Sequence, residues 1–270
     1  MTDTERIQKI VLNIMDAFID YCEKHALRYY LIGGALLGSI RHKGFIPWDD
    51  DVDIGMPRRD FDRFHELIKE DIPEGFGICT RFSDPDWHFA MSQFYDKESK
   101  VEIHLAEKPR IANIWIDIFP LDGLPDNKVR RNLRVKNILF HRYVVQMTHI
   151  STQVEFKRKR SFPERALLSL FRHIPLYRVI RTERIIDDLE TILRKSDFDK
   201  STWCGNMLGR AREKEIMRRR WFGTPIKGIF EGREVNIPEN SHEILKALYG
   251  DYMKLPPEED RRTHGVRFIE

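Results

Sequence analysis

Apolar residues recur at helical spacing over several stretches of the chain. Between residues 4 and 24 they fall three or four positions apart, the pattern of an amphipathic helix with one buried face. The same spacing predicts helices over residues 35–41, 60–69 and 241–249, and a helical region over 127–196 that is broken near 148–155, at Pro163 and at Pro175. We therefore expect several helices with one apolar and one polar face.

Short runs of β-branched and aromatic residues lie between these helices and predict strands. The predicted strands are residues 28–32, 51–56, 77–82, 88–95, 101–105 and 111–119. A turn at Asp122-Gly123 is expected to close this region, and Glu231-Gly232 to form the tip of a hairpin within residues 223–235. This order predicts an α+β fold, in which helices flank a mixed sheet.

The organisation along the chain predicts three parts. Residues 1–126 would form the core, 127–200 a basic helical annex, and 201–270 a C-terminal segment that packs back on the core. With 270 residues, 41% of them hydrophobic, the chain is long enough to bury a sizeable core. The chain contains no run of about 18 apolar residues, so the sequence predicts no membrane-spanning helix. The three cysteines are widely separated and form neither a zinc pattern nor a disulfide framework, which favours a reducing, cytoplasmic setting.

The net charge of +3 conceals an asymmetry, since residues 128–184 contain 15 Lys and Arg against three acids. The remaining residues carry 31 basic and 40 acidic side chains. Two interpretations stay open: a helical lid with solvated charges, or a surface that docks on anionic lipid, because the basic run at residues 157–160 precedes an apolar helix. Nucleic acid is not expected as a partner, because no aromatic-rich RNA-binding module accompanies the charge.

Four aspartates crowd into five positions, at residues 49, 50, 51 and 53. Such a cluster is costly unless a cation offsets the repulsion between the carboxylates. On a strand, positions two apart point to the same face, so Asp51 and Asp53 would project together. Parallel carboxylates of this kind suit a Mg²⁺ ion that also holds a phosphate.

A glycine pair, Gly33-Gly34, ends the first predicted strand and opens the next predicted helix. The backbone N–H groups and the positive dipole end of a helix attract a phosphate. Most glycine pairs are only turns, but this one precedes the Asp-x-Asp strand, and the combination predicts a phosphate site beside a metal site.

A third carboxylate, Asp117, stands in the otherwise apolar run 114–119. An unpaired charge there would be expensive. Asp117 is therefore predicted either to complete the metal site or to act as general base on an acceptor hydroxyl. A buried aspartate that caps a loop is the alternative, and Asp122 is interpreted as a turn residue.

The succession of strand, Gly-Gly, helix and Asp-x-Asp strand resembles the nucleotidyltransferase superfamily with its polymerase-beta-like palm. Sixteen residues separate Gly34 from Asp51, which implies an inserted loop. Residues 36–54 closely resemble the signature of the LicD family, which includes bacterial phosphocholine transferases and is related to the fukutin-related ribitol-phosphate transferases. Further stretches that fit this family are residues 116–123, 230–234 and 249–257. The resemblance spans roughly residues 28–265, but the cysteine-rich zinc site of the fukutin-related members is absent.

The resemblance implies a role for each candidate residue. Asp51 and Asp53 would bind Mg²⁺, with Mn²⁺ as the alternative ion, and Asp49 would join them through water. Asp117 would serve as the base. The positions of Gly33, Gly34, Arg41 and Lys43, beside the carboxylates, independently suggest that they bind the donor diphosphate, and Trp48 offers an aromatic face to a quaternary ammonium group.

The resemblance also implies a reaction: transfer of phosphocholine from CDP-choline to a sugar hydroxyl of a lipid-linked glycan precursor, with release of CMP. The glycan would be teichoic acid or lipopolysaccharide. The protein would work in the cytoplasm, peripheral to the inner face of the cell membrane. Three alternatives stay open: another CDP-linked donor such as CDP-ethanolamine or CDP-ribitol, a nucleotidyltransferase that releases pyrophosphate, and a binding module whose chemistry has decayed.

Overall fold

The fold is known from a computed structural model, which describes residues 2–84, 87–103, 110–148, 181–261 and 266–269. The seven α-helices of these ranges are α1 Asp3–Lys24, α2 Gly33–Arg41, α3 Arg58–Glu70, α4 Lys128–Thr148, α5 Thr182–Leu193, α6 Arg219–Phe222 and α7 Ser241–Tyr249. Two 3₁₀ helices span Arg212–Glu215 and Glu258–Asp260.

The strands described are short, apart from one. They are β1 Tyr30–Leu31, β2 Asp53–Pro57, β3 Phe76–Cys79, β4 Ser92–Asp96, β5 Val101–Ile103, β6 Arg110–Ala112, β7 Trp115–Leu124, β8 Trp203–Gly205, β9 Ile216–Arg218, β10 Ile226–Phe230, β11 Arg233–Ile237 and β12 Val266–Phe268. These elements give the α+β composition that the sequence predicts.

A mixed sheet with the strand order β1-β2-β7-β4-β3 forms the centre of the fold. Within this order β2 and β7 run parallel, while the other neighbours are antiparallel. The far end of β7 pairs with β8, which in turn pairs with β9. The remaining strands form a hairpin of β10 and β11 and a small sheet of β12, β5 and β6.

One face of the central sheet is covered by α1 and α3. Side chains alternate along a strand, so Ile54, Phe94 and Ile118 point to this face, and all three are fully buried. Phe18 of α1 packs edge-on against Phe64 of α3 in the same core. The helices leave the opposite face of β2, β7 and β4 available for polar side chains.

A second apolar cluster joins α4 to α5. It includes the buried Val135 and Ile138 of α4 and Ile186 and Leu189 of α5, which pack with Leu124 at the end of β7. The predicted helical annex is thus represented by two packed helices, and the residues between them lie outside the described ranges. The division into residues 1–126, 127–200 and 201–270 stays a prediction.

The predicted helices over 4–24, 35–41, 60–69 and 241–249 are confirmed, as is the hairpin around Glu231-Gly232. The strand predicted at residues 51–56 begins two residues later, at Asp53. The strand predicted at 111–119 is two strands, β6 and β7. Residues 104–105, Pro163 and Pro175 lie outside the described ranges.

The prediction of a turn at Asp122-Gly123 is wrong, because both residues lie inside β7. Asp122 is buried and accepts hydrogen bonds of 2.7 and 2.8 Å from the buried guanidinium of Arg58. A Cβ on Gly123 would lie 2.4 Å from the carbonyl oxygen of Asp197, so the missing side chain serves close packing and not a turn. A buried ion pair and a close backbone contact are tertiary features, which the local turn signal cannot register.

Candidate functional site

Three polar side chains meet on the open face of the sheet because of strand register. Asp53 on β2 is paired directly with Asp117 on β7, and Asp117 is paired with Gln93 on β4. Directly paired residues share a face, so the three form a row across the sheet. The Nε2 of Gln93 donates a hydrogen bond of 2.8 Å to Oδ1 of Asp117, which fixes the orientation of that carboxyl group.

The glycine pair lies against these carboxylates at the start of α2. Gly33 has φ +56°, and a Cβ there would lie 2.9 Å from Oδ2 of Asp53. A Cβ on Gly34 would lie 2.7 Å from Oδ2 of Asp49. The N-cap residue, Ile32, has no polar side chain to cap the first turn. The absence of side chains therefore lets acidic groups approach the N-terminus of the helix closely.

A cavity of about 470 Å³ opens above this row. Six of its described lining residues are acidic and one is an arginine; these are Asp49, Asp50, Asp51, Asp53, Asp117, Glu215 and Arg210. Predicted site residues from both strands and the glycine pair thus line one cavity. Such an excess of negative charge repels anions unless cations enter with them.

The surroundings of Asp53 strongly perturb its carboxyl group. Burial raises its pKa well above the ordinary value of 3.8, and the neighbouring charges of Asp51, Asp117, Asp49 and Glu215 raise it further. The negative charge of a carboxylate in this position is unfavourable unless a proton or a bound cation neutralises it.

A metal ion in this cavity would need ligands in addition to the described side chains. Within these ranges, no three His, Cys, Asp and Glu side chains are grouped so that they could hold a metal ion by themselves. Mg²⁺ is commonly held by one or two carboxylates together with substrate phosphates. Asp51 and Asp53 fit this second mode, with the α2 N-terminus beside them for a phosphate. The larger set with Asp49 stays a prediction.

Glu215 was missed by sequence reasoning. It ends the 3₁₀ helix Arg212–Glu215, and its Oε1 accepts a 2.9 Å hydrogen bond from the N–H of Ala211. Burial raises the pKa of Glu215 to about 7, although the Ala211 N–H, Arg142 and Asn206 act in the lowering direction. In the sequence it ends a run of alternating charges, which is typical of a solvated segment, so no local signal distinguishes it.

The loop of residues 206–211, which carries Arg210 into the cavity, is fixed from α4. Arg142 donates hydrogen bonds of 2.8 and 3.0 Å to the carbonyl oxygens of Met207 and Gly209. A Cβ on Gly209 would lie 2.0 Å from Oε1 of Glu215, so this loop closes over the Glu215 carboxyl group. Arg210 and Glu215 are therefore positioned by long-range contacts.

Three predicted donor-binding residues lie outside the described lining of this cavity. Arg41 donates a 2.7 Å hydrogen bond to the carbonyl oxygen of Tyr252, and Lys43 is exposed. Trp48 packs on the core, with the guanidinium of Arg261 5.0 Å from its ring centre. In their place the cavity offers Arg210 as a cation.

The aromatic wall of the cavity is formed by Trp115, Phe119 and Tyr249. The indole N–H of Trp115 is buried and has no hydrogen-bond partner among the described residues. Trp115, at the start of β7, also packs against the hydrophobic core, so its side chain belongs both to the core and to the cavity wall.

The inserted loop between α2 and β2 is held by hydrogen bonds to the tip of the β10–β11 hairpin. The Glu231 N–H donates a 2.7 Å hydrogen bond to the Lys43 carbonyl, and Oε1 of Glu231 accepts a 3.1 Å bond from the Phe45 N–H. With the Arg41 bond to Tyr252, this brings three of the family-like stretches, 36–54, 230–234 and 249–257, into one contact region. The loop that leads into the carboxylates is therefore held in place by distant segments.

The cavity places a group of carboxylates beside the N-terminus of α2, and similarity to known proteins gives the family. A family model described as LicD/FKTN/FKRP, nucleotidyltransferase domain matches residues 26–173, more than half of the chain. The chain belongs to this family.

Three relatives differ greatly in how much of the chain they match. Lipopolysaccharide cholinephosphotransferase LicD of Haemophilus influenzae is 30% identical over 268 residues, which cover 96% of this chain and 95% of that protein. Human ribitol 5-phosphate transferase FKRP is 47% identical over 45 residues, 17% of this chain and 9% of that protein. An uncharacterized protein of Rickettsia typhi is 26% identical over 110 residues, 39% of this chain and 32% of that protein.

None of the helices in the described ranges combines the length and the apolar composition that a membrane-spanning helix needs.

Proposed function

We propose that this protein transfers phosphocholine from CDP-choline to a sugar hydroxyl of a cell-surface glycan precursor and releases CMP. The observation that carries the proposal is the pair Asp53 and Asp117, side by side at the N-terminus of α2 in an acidic cavity. The near full-length similarity to a lipopolysaccharide cholinephosphotransferase supports phosphocholine as the transferred group. It also favours lipopolysaccharide over teichoic acid as the glycan. We further infer that the sheet of β1, β2, β7 and β4 is a palm of the nucleotidyltransferase type, in keeping with the description of the family.

In this proposal Asp51 and Asp53 hold a Mg²⁺ or Mn²⁺ ion, with Asp49 in reach through water. When bound, the ion would neutralise the diphosphate of the donor. The raised pKa of Asp53 supports the assignment, since crowded carboxyl groups gain most from a cation. The N–H groups of the first turn of α2 and the guanidinium of Arg210 would hold donor phosphate oxygens.

Asp117 would act as general base. It takes the proton of the acceptor hydroxyl, whose oxygen forms a bond to the phosphorus that bears choline. The bond from that phosphorus to the bridging oxygen of the diphosphate breaks, and CMP leaves with the electron pair. Gln93 supports this role as a positioning residue, because its hydrogen bond to Oδ1 fixes the orientation of the Asp117 carboxyl group.

The choline head group would face the aromatic wall of the cavity. A quaternary ammonium has no hydrogen-bond donors and is attracted by aromatic faces and by negative charge. Trp115, Phe119 and Tyr249 offer the faces, and the surrounding carboxylates supply the charge. This assignment replaces Trp48, whose ring is covered by Arg261.

A lipid-linked acceptor would bring the protein to the inner face of the cell membrane. Along the outward side of α4, Val129, Leu133 and Phe140 are 63–66% exposed and recur at helical spacing. Lys128, Arg130 and Lys136 of the same helix are also exposed, the first two on either side of Val129. An apolar stripe with flanking cations is the composition of a helix that lies on an anionic membrane surface. Residues 157–160 of the predicted basic surface lie outside the described ranges.

CDP-ribitol is the second candidate donor, because a 45-residue segment is 47% identical to a ribitol 5-phosphate transferase. A polyol has no positive charge, so an aromatic wall would contribute little to its binding. The aromatic lining therefore favours choline.

The proposal is tested by incubating the purified protein with Mg²⁺, an acceptor glycan extract and CDP-choline, CDP-ethanolamine or CDP-ribitol in separate reactions. CMP release is measured with and without EDTA, and choline is measured in the glycan fraction. We expect EDTA-sensitive CMP release that is fastest with CDP-choline, with choline in the glycan. Faster reaction with CDP-ribitol would replace choline by the polyol, and release of pyrophosphate from CTP alone would replace the proposal by nucleotidyl transfer.

A further inference from the structure

A second cavity, of about 460 Å³, also borders Asp117. Its walls come from α4, α5, β7, residues 88–91 and residues 208–212, and we call it the α4 cavity. It shares four lining residues with the carboxylate cavity: Asp117, Phe119, Gly209 and Arg210. The candidate base therefore borders both cavities, as a group must if it takes a proton from one substrate while that substrate attacks another.

The walls of the α4 cavity combine aromatic and hydrogen-bonding side chains. Phe89 and Tyr143 present partly exposed rings, with 38% and 41% of their surface accessible. His88 and Gln146 contribute polar groups, and Leu139 contributes an apolar surface. A sugar has an apolar ring face and a rim of hydroxyl groups, so it matches aromatic platforms with adjacent donors and acceptors.

The charge of the α4 cavity is opposite to that of the carboxylate cavity. Among its described lining residues, Arg142, Arg210 and Arg212 are positive, and Asp117 carries the one carboxylate. The guanidinium of Arg142 donates hydrogen bonds to carbonyl oxygens of the 206–211 loop, whereas Arg212 is exposed at the rim. Positive charge at the rim favours a ligand with an anionic substituent, and a phosphate is the group that guanidinium binds best.

We propose that the α4 cavity binds the acceptor, and that the acceptor unit is a sugar that carries a phosphate group. The sugar ring would lie against Tyr143 and Phe89, the phosphate would face Arg212, and the reacting hydroxyl would point to Asp117. This proposal rests on the proposed function, since it names the acceptor class for the same reaction. The two cavities would separate the substrates by charge: metal-bound diphosphate in the acidic cavity and anionic sugar in the basic one.

Direct binding gives a test that does not need turnover. Glucose 6-phosphate serves as a probe of the sugar phosphate class, and glucose serves as the uncharged comparison, both titrated by ligand-observed NMR. We expect the protein to bind glucose 6-phosphate more tightly than glucose. Tyr143→Ala and Arg212→Gln should each weaken glucose 6-phosphate binding about tenfold. Two matched α4 controls outside this cavity, Phe140→Ala and Arg130→Gln, should bind the probe as the unmodified protein does.

Kinetics with a deacylated, phosphorylated acceptor glycan give the second arm. In Tyr143→Ala and Arg212→Gln the KM for the acceptor should rise about tenfold, while the KM for CDP-choline changes by less than about twofold. Equal probe binding in all variants, no binding by the unmodified protein, or a rise in the donor KM alone would overturn the acceptor assignment. Absence of CMP release from every CDP-linked donor would instead refute the proposed function, and the probe titration would still report on the cavity.

Discussion

At the scale of single residues, charge density distinguishes the site from the rest of the molecule. Asp49, Asp51 and Asp53 are visible in the sequence because they are adjacent, and Asp117 because it interrupts an apolar run. Glu215 is distant in the sequence, and only the fold brings its charge close enough to raise the pKa of Asp53. Sequence spacing therefore reveals carboxylates that share a strand or a loop, but not those brought in from a distant segment.

Glu215 gives a prediction about stability and pH. Burial raises its pKa from 4.5 to about 7 in the folded protein, so the folded state holds a proton that the unfolded state releases. The stabilisation is complete below about pH 4.5 and is lost as the pH rises through about 7. From about pH 5 to about pH 8, the free energy of unfolding should therefore fall more in the unmodified protein than in Glu215→Gln, by roughly 1–3 kcal/mol.

Denaturant unfolding in the presence of EDTA measures this difference. Glu213→Gln, an exposed neighbour in the same 3₁₀ helix, is the control and should follow the unmodified protein. Parallel pH profiles for Glu215→Gln and the unmodified protein would show that Glu215 is not buried as described.

At the scale of elements, amphipathic helices and the hairpin followed from local pattern, whereas the ends of strands did not. The helix over 241–249 and the tip at Glu231-Gly232 depend on periodicity and turn chemistry within a few residues. The length of β7 depends instead on Arg58 of α3, which neutralises Asp122 from outside the strand. Short β8 and β9 carry too few residues for a period-two signal and exist because β7 continues.

The Arg58–Asp122 ion pair supplies a test at this scale. Asp122→Asn would leave the buried guanidinium of Arg58 without its closest charge partner, and we expect the free energy of unfolding to fall by about 3 kcal/mol. The control is Asp71→Asn, which removes an exposed partner of Lys24 at 2.6 Å and should have little effect. Thermal or denaturant unfolding of both variants measures the difference, and equal effects would mean that the pair is not buried as described.

At the scale of the whole molecule, the sequence predicted that Asp51, Asp53, Asp117 and the glycine pair lie together, but not which other side chains line their cavity. Asp51, Asp53 and the glycine pair lie in one continuous segment, so their convergence was predictable. The other residues that line the cavity were less predictable. Arg41 and Trp48 are close in sequence to the aspartates yet make structural contacts, while Arg210 and Tyr249 come from distant segments. Which side chains fill a cavity depends on tertiary contacts such as those of Arg142, which no local pattern encodes.

The apolar stripe of α4 gives a prediction about membrane association. Leu133→Glu combined with Phe140→Glu should reduce binding to vesicles that contain anionic lipid by roughly tenfold or more, because it removes apolar contact and adds repulsion. Cosedimentation with phosphatidylglycerol-containing and pure phosphatidylcholine vesicles measures this. Ile226→Glu, at an exposed apolar position on β10, is the control and should bind like the unmodified protein. Unchanged binding of the double variant would exclude α4 as the contact surface.

We propose that the acidic residues around Asp53 perform phosphocholine transfer. The most direct measurement compares Asp53→Asn with the exposed control Asp20→Asn, using CDP-choline labelled in the choline group and counting label in the acceptor glycan. We predict that Asp53→Asn lowers transfer by roughly 10³-fold or more without lowering the thermal unfolding temperature, since it also removes carboxylate repulsion. The control should retain full transfer. Substantial transfer by a folded Asp53→Asn protein would contradict the account.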